Sequence, residues 1–364
     1  MSLKCGIVGL PNVGKSTLFN ALSNAGAESA NFPFCTIDPN VGMVPVPDER
    51  LNNLAELAES KNVLPTVIEF VDIAGLVKGA SEGKGKGNAF LSHIREVDLI
   101  LHVVRCFDDD DIIHVEGSVD PERDIRIIEE ELILKDLESV EKRADKLKKE
   151  SKGGDRALKA QYEIVQRLAD HLGEGNSART FEVSKDDKAA YRDLFLLSDK
   201  QVLYACNVGE SDLESGNEYV ETVKEIASEH DDNTVMFCAK IEAEIAELDE
   251  DEKEMFLEEL GVASAGLDRL IKAAYEELGL ITYFTAGPKE ARAWTIKRGT
   301  KAPQAAGVIH TDFEKGFIRA ETIAYKDYEE LGSEKAARDA GKMRQEGKEY
   351  VVKDGDVLLF RFNV

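Results

Sequence analysis

The stretch Gly9-Leu10-Pro11-Asn12-Val13-Gly14-Lys15-Ser16-Thr17 decides how the rest of the chain is read. It follows an apolar, strand-like run (Leu3 to Val8) and precedes a helix-like run (Ser16 to Leu22). That is the strand–loop–helix setting of the G-x-x-x-x-G-K-[ST] phosphate loop. Glycines let backbone N–H groups turn inward around phosphate oxygens, and the helix N-terminus adds partial positive charge. Lys15 would reach the β- and γ-phosphates, and the Ser16 hydroxyl would take one position on Mg²⁺. An ordinary glycine turn is the plain alternative, and the two flanking elements speak against it.

Working outward, 364 residues exceed what one core usually holds, so two or three domains are expected. The apolar fraction of 43% and charged fraction of 32% describe a soluble globular chain. No apolar run approaches the ~20 residues of a membrane span. The phosphate loop near the N-terminus argues against a cleaved leader. Five scattered cysteines form no C-x-x-C pair and no metal spacing, so buried, reduced thiols in the cytoplasm are expected. A net charge of −25 argues against a general polyanion binder. From Leu280 onward, however, Lys and Arg slightly outnumber Asp and Glu, which makes that part the better candidate for touching RNA.

Beyond the first helix, Asn31 to Asn40 is a proline-punctuated loop, Gly42 to Val46 a short edge strand, and Asp48 to Ser60 a helix. Thr66 to Asp72 reads as a buried strand ending on an acid. Gly79 to Gly87 holds four glycines in nine residues and cannot pack a core. Phe90 to Val97 looks helical, and Asp98 to Cys106 is another buried strand followed by the acidic loop Asp108 to Asp111. Strands at Gln201 to Cys206 and Thr234 to Cys238 flank a helix at Tyr219 to His230. This alternation indicates an α/β fold with a mostly parallel sheet and a ligand beyond the carboxyl ends of its strands.

Residues 121–198 break the alternation. Ile125, Ile128, Leu132, Leu137, Val140, Ala144 and Leu147 recur at helical steps, and Leu158, Tyr162, Val165, Leu168 and Leu172 continue the pattern after a Ser151–Gly154 turn. An inserted αα-hairpin, an antiparallel coiled coil, is expected there. Its Lys142 to Lys152 tip is a candidate RNA contact, against the plainer reading of a solvated face. Asp249 to Glu259 is acidic and exposed-looking, and Gly266 to Leu278 is a further helix. Beyond Leu280, β-like runs at Ala293–Lys297, Gly307–His310, Gly316–Glu321, Tyr350–Lys353 and Val357–Phe362 suggest a small α+β domain. The expected boundaries are 1–120 with 199–279 for the nucleotide domain, 121–198 for the helical insertion, and 280–364 for the C-terminal domain.

Other pieces stand where a nucleoside-triphosphate switch needs them. Asp72-x-x-Gly75 ends a strand, so its carboxylate would hold Mg²⁺ through water and the Gly75 N–H would meet the γ-phosphate. Thr36 offers a second hydroxyl to the metal. The base reader is irregular. GTPases usually carry Asn-Lys-x-Asp, and here the strand ends Asn207-Val208-Gly209-Glu210. Val208 removes the Lys that packs along the base. Glu210 is one methylene too long for a bidentate fit to guanine, and a misplaced polar partner loses discrimination. Asn207 can still contact N7 or the exocyclic 6-position of either purine. Ala239, in Cys238-Ala239-Lys240, sits where a GTPase backbone N–H meets guanine O6. ATP over GTP is therefore expected, with a GTP-preferring GTPase as the alternative.

Ras-like enzymes orient the attacking water with a Gln after D-x-x-G, and here Leu76 stands in that place. His114, after the acidic loop, is a candidate to orient water, and a surface histidine is the plainer reading. Asn12 offers an amide oxygen beside the phosphates, where a monovalent cation can stand in for an arginine finger.

With these motifs in view, and with Arg292-Ala-Trp-Thr-Ile296, Ala302 to His310 and Tyr350 to Val364, the chain resembles the YchF family, the Obg-like ATPases of the translation-factor class of P-loop GTPases. The resemblance covers essentially the whole sequence. It implies a G domain, a coiled-coil insertion and a C-terminal TGS domain of β-grasp type. It implies slow, Mg²⁺-dependent hydrolysis of ATP, weaker GTP binding, and association of a monomer with the large ribosomal subunit or the whole ribosome. It places Asn12, Val13, Gly14, Lys15, Ser16 and Thr17 on the phosphates, Ser16 and Thr36 on Mg²⁺, and Asn207 on the base. His114 matches the family's proposed catalytic histidine, and Asn12 the residue associated with potassium dependence. Lys86, in the glycine loop, departs from the apolar residue expected there. Two rival readings are a nucleotide-gated ribosome or RNA adaptor with incidental turnover and a P-loop phosphotransferase. The latter would need an arginine-rich lid that the glycine loop does not supply.

Overall fold

Strand β1 (Lys4–Val8) is buried after its first residue, lies inside a six-stranded sheet and delivers the phosphate loop to the carboxyl ends of its strands. The computed structural model describes residues 3–28, 40–73, 94–248, 250–262 and 264–363. The strands that follow are β2 (Val41–Pro45), β3 (Asn62–Leu64), β4 (Val67–Asp72), β5 (Leu99–Cys106), β6 (Gln201–Val208) and β7 (Asn233–Phe237). The first sheet runs β2-β4-β1-β5-β6-β7. Its β4–β1, β1–β5, β5–β6 and β6–β7 pairs are parallel. All eight residues of β5 are buried, as a strand covered on both faces requires. The register sets Ile7 beside Asp72, Val8 beside His102 and Arg105 beside Asn207, so the carboxyl ends of these strands share one rim. Cys5, Cys106, Cys206 and Cys238 are buried free thiols, as expected.

Helix α1 (Lys15–Glu28) leaves the phosphate loop, and α2 (Glu49–Leu57) starts at an Asp48 cap that accepts from the Arg50 N–H. The expected hairpin is present as α3 (Pro121–Glu150) and α4 (Arg156–Gly173), with Gly154 at φ 87° in the turn. Asp120 caps α3, and proline, which needs no N–H there, opens it. The root of α3 belongs to the sheet: Ile125 is packed with Val104, Cys106 and Tyr204. Farther out Val140, Ala144, Leu147, Val165, Leu168 and Leu172 form a second core with Ala178, Ala190, Tyr191 and Leu196 of the segment that follows the hairpin. Asp136, fully buried, fastens the hairpin's return by accepting from the Leu197 and Ser198 N–H groups and the Ser198 hydroxyl.

By packing, the chain divides into two units, Leu3–Gly42 with Glu69–Leu270, and Met43–Ile68 with Ile271–Val364. Residues 43–68 and 271–279 pack with the C-terminal unit, whereas the expected boundaries put them in the nucleotide domain. The C-terminal sheet contains β8 (Leu280–Ala286), β9 (Glu290–Lys297), β10 (Phe317–Ala324), β11 (Arg344–Glu346) and β12 (Asp356–Phe362), in the order β11-β10-β12-β8-β9-β3. The short β3 adds in parallel to β9, pairing Asn62 with Glu290 and Leu64 with Arg292. The apolar face of α2 explains the rest: Leu51, Leu54 and Ala55 share a core with Phe284, Ala291, Ala293 and Ile323.

Within that α+β unit, Gly307–His310 is not a strand. It closes a helix, Ala302–Ile309, in which Pro303 occupies the first turn and Ala302, Ala305 and Ala306 are buried. A Cβ at Gly307 would collide with the Glu314 side chain, so glycine is kept for close approach. Tyr350–Lys353 contributes an isolated bridge from Val351 to Lys301.

Candidate nucleotide site

The phosphate loop needs backbone that most residues avoid. Gly9 has φ 150° and lies against the Val103 carbonyl, Asn12 has φ 62°, and Gly14 has φ 99°. A side chain at Gly14 would strike the amide of Asn207, so this glycine serves close packing as well as the turn. The first turn of α1 carries no acid, and the first N–H groups of any α-helix lack intrahelical acceptors, which suits an anion.

Lys15 is buried, and its ammonium donates to the Leu10 carbonyl at 2.5 Å. Burial pulls its pKa down to about 8, opposed by the Asp72 carboxylate. Asp72 is half-buried, and burial pushes its pKa up against the pull of Lys15. The lysine is thus a desolvated cation and Asp72 a carboxylate short of positive charge. Polyphosphate would relieve the first and a divalent cation the second. Ser16 is exposed at the helix start. Its hydroxyl and the Asp72 carboxylate are hard oxygen donors of the type Mg²⁺ takes. Thr36, Gly75 and Leu76 lie outside the described residues.

Beside the loop opens a cleft of about 760 Å³, lined by Asn12, Gly14 and Thr17, by Phe107 to Asp109 with Ile112, by Asn207 to Glu210, and by Cys238 to Lys240. The phosphate loop and the irregular base reader therefore face one space. Asn207 is buried, and its amide bridges two loops: Nδ2 donates to the Val13 carbonyl at 3.0 Å, and Oδ1 accepts from the Ala239 N–H at 3.0 Å. One acceptor site of its oxygen and one amide hydrogen are thus already committed to holding the cleft together, leaving one hydrogen and one lone pair for a base. Val208 is buried in the core, while the Glu210 carboxylate is more than half exposed and lies 4.0 Å from the Lys240 ammonium.

Asn12 donates through Nδ2 to the Ile113 carbonyl at 3.1 Å. The next residue, His114, is no surface histidine. It is buried, its Nε2 lies 2.8 Å from Oδ2 of Asp124, and its Nδ1 accepts from the Glu116 N–H at 3.1 Å. These partners assign the tautomer with hydrogen on Nε2. Asp124 is held in turn by Arg123, at 2.7 and 3.0 Å. Both imidazole nitrogens are therefore engaged inside the protein.

Sequence reading missed Asp124, and also Arg105, a fully buried cation at the rim of β5. A cation one residue before the end of the strand-like run 98–106 was the available signal for Arg105. Nothing in the sequence pairs Asp124 with His114.

Known proteins resemble this chain in sequence and in fold. A family model described as "50S ribosome-binding GTPase" matches residues 4–146. A second, the YchF-GTPase_C model, described as "Protein of unknown function", matches residues 280–363. The chain is 57% identical to the ribosome-binding ATPase YchF of Bacillus subtilis over the full length of both. It is 49% identical to Obg-like ATPase 1 of Pongo abelii, covering all of this chain and 93% of that one. The solved YchF GTPase of Schizosaccharomyces pombe superposes with a TM-score of 0.88 at 43% identity, covering 99% of this chain and 98% of that one. With an unbroken phosphate loop, an Asn207-Val-Gly-Glu210 base reader and full-length identity of this order, the chain belongs to the YchF family.

Proposed function

We propose that this protein binds and slowly hydrolyses ATP, and GTP more weakly, as a nucleotide-gated switch on the ribosome. The observation that carries the reading is the single cleft joining Asn12, Gly14 and Thr17 to Asn207–Glu210 and Ala239. Lys15 would neutralise the β- and γ-phosphates, and Asn12 to Thr17 would wrap them. Ser16 and Asp72 would hold Mg²⁺, which would supply positive charge to the phosphates; as read from sequence, Thr36 would add a second hydroxyl to the metal and the Gly75 N–H would meet the γ-phosphate. Potassium beside Asn12 is part of the same proposal.

Exposure of Glu210 and its neighbour Lys240 supports adenine, because nothing rigid at that position accepts from guanine N1–H and the 2-amino group. Titration of the purified protein with ATP and GTP tests this, and equal or tighter GTP binding defeats it.

The ribosome enters through the relatives, whose names describe ribosome-binding ATPases. Contact through the α3–α4 tip or the C-terminal unit, a monomeric state and a cytoplasmic location belong to the same reading. It also retains the helical hairpin as an insertion and the C-terminal part as a TGS domain. No described helix is long and apolar enough to cross a membrane. Co-sedimentation with ribosomes in ATP-analogue and ADP states is the direct test. Identical binding in both states removes the switch. One observation favours the adaptor reading with incidental turnover: both nitrogens of His114 are engaged, which supports slow hydrolysis in the free protein.

A further inference from the structure

Arg105 lies at the carboxyl end of β5 with 2% of its surface exposed. Its hydrogen bonds go to backbone carbonyls: Nε donates to Phe107 at 3.1 Å, Nη1 to Ile112 at 2.8 Å, and Nη2 to Asp109 at 3.1 Å. The guanidinium carbon also stands 4.6 Å from the centroid of the Phe107 ring. One buried cation thus gathers the loop 107–112 onto the end of the strand. Phe107, Asp108, Asp109 and Ile112 line the cleft together with Asn207–Glu210. Immediately beyond, the Ile113 carbonyl accepts from Asn12 of the phosphate loop.

We infer that Arg105 is a positioning residue for nucleotide recognition: it shapes the wall that meets the nucleoside part of the substrate, without touching the nucleotide itself. The inference rests on the reading of this cleft as the nucleoside-triphosphate site. Physically, three inward carbonyls need a donor that stays charged and planar when buried, which guanidinium alone among side chains supplies. Without it the carbonyls turn out to water and carry Phe107 and Ile112 with them. The phosphate loop keeps its glycines and Lys15, which carry its grip on phosphate, and Arg105 reaches that loop through the bond from Asn12 to the Ile113 carbonyl.

Comparing the wall with the phosphate grip gives the test. Binding of Mg-ATP and of inorganic tripolyphosphate is measured by calorimetry on the full chain, unaltered and as Arg105→Met and Arg105→Lys, with apo thermal melting alongside. The unaltered protein must bind ATP; if it does not, the cleft reading itself has failed. Arg105→Met is expected to weaken ATP by about tenfold or more while tripolyphosphate stays within about twofold. Arg105→Lys, able to serve fewer of the three carbonyls, falls between. A purely structural residue would lower the melting point and weaken both ligands alike. That outcome, or unchanged ATP affinity, overturns the inference. If Arg105→Met does not fold, the ratio of the two affinities in Arg105→Lys decides alone.

Discussion

His114 Nε2 and Asp124 Oδ2 stand 2.8 Å apart, both side chains almost wholly buried, and Asp124 sits in the opening turns of the hairpin helix α3. The histidine matched to catalysis is therefore tethered to the root of the hairpin. Its Nε2–H would have to leave Asp124 before it could orient a water molecule. His114→Ala is expected to slow single-turnover ATP hydrolysis by at least about tenfold with nearly unchanged ATP affinity. Asp124→Asn weakens the tether by roughly one hydrogen bond and is expected to raise the basal rate about threefold to fivefold. Rapid-quench measurements on both variants check the pair, and an unaltered rate in His114→Ala removes that residue from the mechanism.

Asn207 has a role that precedes nucleotide. Because its amide spans the Val13 carbonyl and the Ala239 N–H, Asn207→Ala should destabilise the apo protein by about 2 kcal/mol. Denaturant melts without nucleotide measure this. A residue that only contacted the base would leave the apo midpoint where it was.

His102 makes stability depend on acid. It lies buried in mid-strand, 5.5 Å from the Tyr204 ring, and burial with Lys15 nearby pulls its pKa from 6.5 down to about 3. Between those values the unfolded chain binds a proton that the folded chain refuses. The folded state accordingly loses stability as pH falls from 6.5 toward 3. Carboxylates also titrate there, so the comparison is with His102→Asn. From pH 6.5 to 4.5 the unaltered protein should lose about 2 kcal/mol more than the variant. Equal pH slopes in urea denaturation would dispose of this account.

The C-terminal unit takes its α2 and β3 from early in the sequence. A chain ending at residue 279 keeps Leu51, Leu54 and Ala55 but loses Phe284, Ala291, Ala293 and Ile323, their core partners. Limited proteolysis of that truncation should cut within residues 46–66, a stretch protected in the full chain. Cleavage patterns identical in the two forms would contradict the observed packing.

How far the sequence carried differs from element to element, for physical reasons. The phosphate loop was legible because its function resides in contiguous backbone, and the base reader because Val208 and Glu210 break a fixed pattern. The hairpin was legible because its apolar residues repeat over many turns. By contrast β3 is three residues long and two of them are exposed, so no periodicity marks it. The helix 302–309 was read in part as a strand because its small residues hide a helical face. Arg105, Asp124 and the double engagement of Asn207 are long-range relations, made only when distant segments meet.

The excursion of residues 43–68 has a consequence for how the molecule is made. In synthesis from the N-terminus, α2 and β3 emerge long before β8 and β9, on which they must settle. Until then an apolar helix face and an unpaired strand wait in solvent, while the chain on either side of them can already begin its own sheet. Such non-local pairing is slow, and the waiting species is prone to associate with its own kind. The core that Leu51, Leu54 and Ala55 share with Phe284, Ala291 and Ala293 therefore closes only after β8 and β9 have emerged, and until then the nascent protein carries the early half of that core exposed.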